Sequence, residues 1–290
     1  MKFARATGIV ILFFIAHAGF AQSYPSLLWE ISGNGVTKPS YLYGTMHSFD
    51  SRVFRFTKQL DPYIKKCDIF ALELDLDVSN LTGIAQYMTL GGDTTLAMLI
   101  DSAHLDKLNR FMADSLGVPL AFLMKVKPFF IMGIMMEDGA EKDEATFLDD
   151  HLSKMAKKHN KKVIGLETME EQAQAIDGIP LSEQTKMLLD AVDSALVGGP
   201  GQEMDDMVAV YEKANLDSLY VLYQKEDLSN EFNASLILKR NHRMAVRFAT
   251  YADGKHSIFA AVGALHLPGK EGVIELLRAK GYTVKPIPLK

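Results

Sequence analysis

Two tetrads of the same form, Gly44-Thr45-Met46-His47 and Gly263-Ala264-Leu265-His266, each follow a short apolar run, one near each end of the 290-residue chain. A glycine at a strand end lets the backbone turn and lets a second group approach closely. The histidine three residues on then projects past the carboxyl end of its strand, where open α/β sheets collect their ligands. One such histidine is ordinary. Two at matching places predict a pair of neutral imidazoles, His47 and His266, suited to a divalent transition metal. Glu73 is the third candidate ligand, because it interrupts the apolar run Phe70-Ala71-Leu72-Glu73-Leu74 and a carboxylate is expensive to bury unpaired. The plain alternative is that strand alternation turns it to solvent. Two histidines and one carboxylate leave a coordination position open to water, as a catalytic site requires and a closed structural site does not. The chemistry so predicted is metal-assisted hydrolysis.

Three further side chains are candidates for catalysis. Glu167 ends the run Lys162-Val163-Ile164-Gly165-Leu166, where it is placed to move a proton or orient a histidine, or to cap the following helix. Arg240 is placed to hold a substrate carboxylate or a developing oxyanion, with Asn241 beside it. Arg240, Arg243 and Arg247 also suit a merely solvated basic face. His151, His159, His242 and His256 lie in charged contexts and read as surface residues. Cys67 has no second cysteine to pair with and no helix start or histidine beside it, so it reads as a small buried residue and not a nucleophile.

The elements that must position these groups follow from pattern. Leu27 to Ser32 and Ser40 to Tyr43 read as strands joined by a Gly- and Pro-containing turn, hence a hairpin. Residues 52–66 carry apolar positions at helical spacing, and Ile69 to Asp75 reads as a buried strand. The other end repeats the plan. Ser257 to Val262 is an apolar strand, Gly269 to Gly281 a helix closed by its glycine, and Tyr282 to Ile287 a last strand. Strand, Gly-x-x-His, helix, strand at both ends predicts a diverged duplication, with an acid in the first copy only. Between them Asp106 to Leu116, Pro119 to Glu137, Thr146 to His159, Ser182 to Val197, Gly201 to Asn215 and Ser229 to Tyr251 suit amphipathic helices, with one strand at 162–166. The expected fold is therefore α/β: a central mixed sheet from the two repeats, with a helical layer inserted at about 95–250. Met124, Met132, Met135 and Met136 read as core packing or the lining of a peptide groove. Lys127-Pro128 interrupts their run, which is no membrane span.

Residues 1–21 read as a signal peptide: Lys2 and Arg5, then an apolar stretch from Gly8 to Ala18, then Gly19-Phe20-Ala21 before Gln22. The apolar stretch is shorter than the ~20 residues of a spanning helix. The expected mature chain, 22–290, forms one domain in the periplasm or outside the cell, without stable membrane insertion. The formal net charge is −5, and the leader carries two basic residues and no acid, so the mature surface is more acidic still. That excludes a nucleic-acid partner, which needs a basic patch.

Leu28-Trp29-Glu30-Ile31 with Tyr41-Leu42-Tyr43-Gly44-Thr45-Met46-His47 resembles the opening signature of the TraB/GumN family, which is related to the Tiki metalloproteases. The likeness continues in Leu148-Asp149, in Val163-Ile164-Gly165-Leu166-Glu167-Thr168-Met169-Glu170-Glu171-Gln172, in Arg240-Asn241-His242-Arg243-Met244, and in Val262-Gly263-Ala264-Leu265-His266-Leu267-Pro268-Gly269 with Gly281-Tyr282-Thr283-Val284. The resemblance implies an erythromycin-esterase/ChaN-like architecture. It also implies a peptidase acting on peptides or protein termini, with His47, His266 and Glu73 on manganese or cobalt; zinc is a further option. Two other readings stay open: a binding protein that sequesters a peptide or small ligand on the same fold, and an ester or lactone hydrolase.

Overall fold

The computed structural model describes residues 23–75, 84–139, 144–198, 202–225 and 228–290. The expected leader, 1–21, lies outside them. The chain begins as read, with β1 (Leu28–Gly33) and β2 (Ser40–Thr45) in an antiparallel hairpin that pairs Leu28 with Tyr43 and Ile31 with Ser40. The helix expected over 52–66 is split. A 3-10 turn, Ser51–Phe54, is capped by the Asp50 side chain and precedes α1 (Thr57–Lys66), which buries Leu60 and Ile64. Next comes β3 (Ile69–Leu74).

The middle of the chain is mainly helical. It holds α2 (Ile84–Met88), α3 (Leu96–Leu99), α4 (Ser102–Leu116), α5 (Pro128–Gly139) and α6 (Leu148–Lys158), then β4 (Lys162–Glu167). Thr168 and Glu171 form a reciprocal capping box that starts α7 (Met169–Asp177). There follow α8 (Leu181–Gly198), α9 (Gln202–Tyr211), α10 (Leu216–Tyr223) and α11 (Asn230–Phe232). A π-helical stretch, Asn233–Leu238, joins α11 to α12 (Lys239–Tyr251). The chain closes with β5 (Ile258–Gly263), α13 (Val273–Ala279) and β6 (Tyr282–Ile287).

The single helix expected from Pro119 to Glu137 is absent. Leu120–Leu123 makes a 3-10 turn, and the next residues bond across the chain: Leu90 N–H to the Lys125 carbonyl, Leu96 N–H to that of Met124, and Lys127 N–H to that of Met88. Pro128 then starts α5, where its missing N–H does no harm. Met135 is buried in a second apolar cluster with Leu96, Phe111, Met112, Ile131 and Leu188, and Met124 and Met132 pack against it.

The six strands form one mixed sheet in the order β4-β3-β5-β2-β1-β6. Only β1 runs against its neighbours. Its core is apolar on both faces, with Trp29, Tyr43, Phe70 and Phe259 all buried, and the rings of Phe70 and Phe259 stacked at 5.7 Å. Each such ring contributes ~1.5–3 kcal/mol by leaving water. The sheet is not two halves laid side by side. β4, from the helical middle, extends it beside β3, and β2 and β1 separate β5 from β6.

Connections leave the neighbouring strands β2 and β5 in opposite directions, β2 through α1 to β3 and β5 through α13 to β6. Right-handed crossovers then place α1 and α13 on opposite faces. α6 packs beside α1, and α12 packs beside α13. The carboxyl ends of β2 and β5 are thus the topological switch point, the place where open α/β sheets bind their ligands. Both tetrads start there.

Candidate metal centre

The strand pairing sets Gly44 opposite Val262 and Thr45 opposite Gly263, so the tetrads leave adjacent parallel strands one residue out of step. Neither motif glycine has a positive φ. Close approach is their reason. A Cβ on Gly44 would lie 3.0 Å from the Ala264 Cα, and one on Gly263 would lie 3.0 Å from Glu73 Oε1. The first glycine lets one tetrad pack on the other. The second lets the Glu73 carboxylate reach the backbone, where Oε1 accepts from the Gly263 N–H at 2.6 Å.

Glu73 faces the protein, not bulk solvent, although it interrupts an apolar strand. Its Oε2 accepts from Arg240 Nη2 at 2.6 Å, and its Oε1 lies 3.6 Å from His266 Nε2. Burial pushes its carboxyl up, and the charges of His266 and Arg240 with the Gly263 N–H reverse that, holding it at about 2. The carboxylate is therefore ionised. His266 is buried, and burial pushes its imidazole down to about 4 against the pull of Glu73, so it is neutral near pH 7. Its Nδ1 lies 2.7 Å from Asn241 Oδ1. An amide oxygen can only accept, so Nδ1 carries the proton and Nε2, facing Glu73, carries the lone pair. Asn241 is held in that orientation by its own Nδ2, which donates to the Glu271 carbonyl at 2.8 Å.

Arg240 joins Glu73 to the end of β4. Its Nε donates to Glu167 Oε2 at 2.8 Å, and Arg243 Nη1 donates to Glu167 Oε1 at 2.8 Å. The Glu167 side chain is 0% exposed and that of Arg240 12%. Arg240 Nη1 also bonds the Leu236 carbonyl, within the π-helical stretch. Every arm of the guanidinium is thus engaged by the protein.

His47 has a different setting. Its side chain is 53% exposed, its ring stacks on Phe147 at 3.7 Å, and its Nδ1 lies 3.5 Å from Asp149 Oδ2. Asp149, in the first turn of α6, receives a 2.8 Å hydrogen bond from Thr45 on Oδ1, while Oδ2 is buried with no hydrogen-bond partner. Behind the first tetrad, the Tyr211 hydroxyl bonds both the Gly44 carbonyl and the Tyr43 hydroxyl, each at 2.8 Å.

Two ligand atoms on one tetrahedral ion at ~2.1 Å would stand ~3.4 Å apart. The observed Glu73–His266 separation of 3.6 Å fits a shared ion, as do the ionised carboxylate and the neutral imidazole with its lone pair on Nε2. Among the described residues no three His, Cys, Asp or Glu side chains converge as a metal-binding group. Glu73 and His266 are brought together; His47 stands at the adjoining strand end with Asp149.

Residues 27–286 match the TraB/PrgY/gumN family. The chain belongs to that family. Among curated proteins, this TraB/PrgY/gumN chain is similar to Metalloprotease TIKI2 of Danio rerio, with 25% identity over 91% of this chain and 61% of that protein. It is similar to Metalloprotease TIKI1 of Homo sapiens, with 24% identity over 91% of this chain and 62% of that protein. It is also similar to the Metalloprotease TIKI homolog of Nematostella vectensis, with 23% identity over 91% of this chain and 67% of that protein. The chain spans about three fifths of the length of the two vertebrate relatives. No solved structure matches.

The geometry of this TraB/PrgY/gumN chain gives its sequence candidates unequal roles. Glu167, Arg240 and Glu73 are joined by hydrogen bonds, Asn241 and His266 by another, and the two groups meet where Glu73 lies 3.6 Å from His266. The guanidinium read as a clamp for substrate is closed on two glutamates. Glu167, read as a base, caps nothing and faces two arginines; the helix cap next to it is Thr168. The basic face was not merely solvated either, since Arg243 bonds Glu167 and Arg247 bonds Glu171. Asp149 was missed as a site residue. Its signal was an acid one turn into a helix in the stretch that carries the family likeness, too common a feature to single out.

Proposed function

We propose that this protein is an exported metal-dependent hydrolase, most simply a peptidase, folded as one domain over 22–290. The observation that carries the reading is the Glu73–His266 pair, 3.6 Å apart beside the switch point, with His47, the histidine of the first tetrad, at the adjoining strand end. The similarity to proteins named metalloproteases supports it. Among the described residues no helix is long and apolar enough to cross a membrane.

Glu73, His266 and His47 would hold a divalent ion, manganese or cobalt by resemblance. When bound, such an ion supplies Lewis acidity, polarising a carbonyl and lowering the pKa of water. The chain's own groups do the rest. Glu73 contributes the negative charge that favours a cation. Arg240 and the Gly263 N–H fix both of its oxygens, so the carboxylate cannot rotate away. Asn241 holds the proton of His266 on Nδ1 and the lone pair on Nε2, as partners of ligand histidines do. Glu167 balances the charge of Arg240 and Arg243 and sets their positions. Glu167, Arg240 and Asn241 are thus positioning residues in this reading, not groups that touch substrate. Phe147, stacked on His47 and in contact with Phe49, offers an apolar surface for a peptide side chain beside that histidine.

The test is metal content by mass spectrometry, then cleavage of a peptide library and an ester panel with added Mn²⁺ or Co²⁺. The reading expects metal in wild type, less in His47→Ala, and metal-dependent peptide cleavage. Equally little metal in both, with nothing cleaved, would end it. Esters cleaved with every peptide intact would move the assignment to ester hydrolysis.

A further inference from the structure

We propose that Asp149 is a positioning residue for His47, fixing the proton of that imidazole on Nδ1, as Asn241 does for His266. The inference rests on the metal-dependent reading above and assigns the side chain that prepares its first histidine. A buried carboxylate oxygen without a hydrogen-bond partner is costly and calls for a reason. Asp149 Oδ2 is such an atom. The rest of the group is fully accounted for: Oδ1 accepts from Thr45, a member of the same tetrad as His47, at 2.8 Å. That bond fixes the carboxylate plane and leaves Oδ2 directed to His47 Nδ1, 3.5 Å away, a small ring adjustment short of a hydrogen bond. Asp149 lies in the first turn of α6, so its place beside the first tetrad is set by a helix. Stacking on Phe147, the residue that precedes α6, limits rotation of the imidazole.

The two tetrads then share one device. At each, the histidine Nδ1 faces an Asp or Asn side chain borne by a helix: α12 for His266 and α6 for His47. Both rings are left with the unprotonated nitrogen at Nε2. Free histidine in water favours the opposite tautomer, with the proton on Nε2, so each ring needs a partner to hold it the other way. A carboxylate that orients a ligand histidine also raises its basicity, and losing such a partner lowers metal affinity about 10–100-fold.

The experiment compares wild type with Asp149→Ala and the volume-conserving Asp149→Asn, with two readouts. The first is the imidazole ¹⁵N spectrum of the metal-free protein, at a pH where His47 is neutral. Wild type should show the proton on Nδ1, and Asp149→Ala should lose that preference. The second is Co²⁺ affinity by titration of the cobalt absorption. Asp149→Ala should bind about 10–100-fold more weakly, and Asp149→Asn should weaken in the same direction by less. His47 in the same tautomer in wild type and both variants, or Co²⁺ affinity within a factor of two in all three, overturns the assignment. Should Asp149→Ala not fold, Asp149→Leu, which fills the site without an acceptor, is read by the criteria set for Asp149→Ala. Should wild type take up no Co²⁺, the metalloenzyme reading falls, and the tautomer comparison still decides the Asp149–His47 pairing.

Discussion

Arg240 Nη2 meets Glu73 Oε2 at 2.6 Å, and the Nε of the same guanidinium meets Glu167 Oε2 at 2.8 Å. One planar fork therefore ties β3 to β4 at the end of the sheet where the candidate ligands gather. Removing it would leave two carboxylates short of their counter-charge, one of them with no solvent exposure. We expect Arg240→Ala to destabilise the fold by about 3–5 kcal/mol, the usual consequence of breaking a buried pair from one side. Arg240→Lys should recover only part of this, because an ammonium cannot span both glutamates as a fork does. Equilibrium denaturation in guanidinium chloride reads both. A loss under ~1 kcal/mol for Arg240→Ala would show that the network carries little.

The two motif glycines should fail differently. In Gly44→Ala the new methyl meets the Ala264 Cα at 3.0 Å, a backbone atom that cannot step aside. A stability loss of about 1–3 kcal/mol is expected, seen as a lower denaturation midpoint. In Gly263→Ala the methyl meets Glu73 Oε1 at 3.0 Å, the far end of a side chain. There the carboxylate should shift off the Gly263 N–H, so Co²⁺ affinity falls more than stability does. The reverse ranking would contradict the close-approach argument.

Stability should fall on the acid side through Glu171. The Arg247 fork, against the upward push of burial and with help from the Thr168 N–H and Arg243, holds its carboxyl at about 2, below its ordinary 4.5. Between those values the unfolded chain binds a proton that the folded chain refuses, so the stabilisation is full above 4.5 and lost as pH falls towards 2. Thermal melts of metal-free protein across that range should show a shallower decline in Glu171→Gln than in wild type. Parallel curves would remove Glu171 from the account.

Export makes a prediction about mass. Produced with an intact secretion pathway, the mature protein should begin at Gln22, and intact-mass spectrometry should find residues 1–21 gone. A chain that keeps Met1 to Ala21 would contradict the reading of that segment as a leader.

Local chemistry made part of this molecule legible in its sequence. The apolar runs and turn residues placed β1, β2, β5 and β6 within a residue or two. Glu73 stood out because burying a lone carboxylate is costly, and the structure answers with a hydrogen bond to each oxygen, from Arg240 and from the Gly263 N–H. What was not legible depends on contacts distant along the chain. The bonds of residues 88–96 to 124–127 that end the expected helix, the closure of Arg240 on Glu73 and Glu167, and the reach of Asp149 to Thr45 join segments that no local pattern relates. The signal that suggested a substrate clamp, an arginine on an amphipathic helix, is the same whether its fork faces a ligand or a glutamate. The duplicated plan was read from both ends of the chain, but neither the placement of β1 between β2 and β6 nor the addition of β4 could be inferred from it.

The central claim is that Glu73 and His266 share a metal ion. Crystals equilibrated with Mn²⁺ or Co²⁺, measured at the absorption edge of that metal, test it directly. The account predicts an anomalous peak within ~2.0–2.2 Å of both Glu73 Oε1 and His266 Nε2, with the His47 imidazole drawn to the same ion, and no peak in Glu73→Gln. A saturating metal concentration that leaves no peak between those two side chains would contradict it.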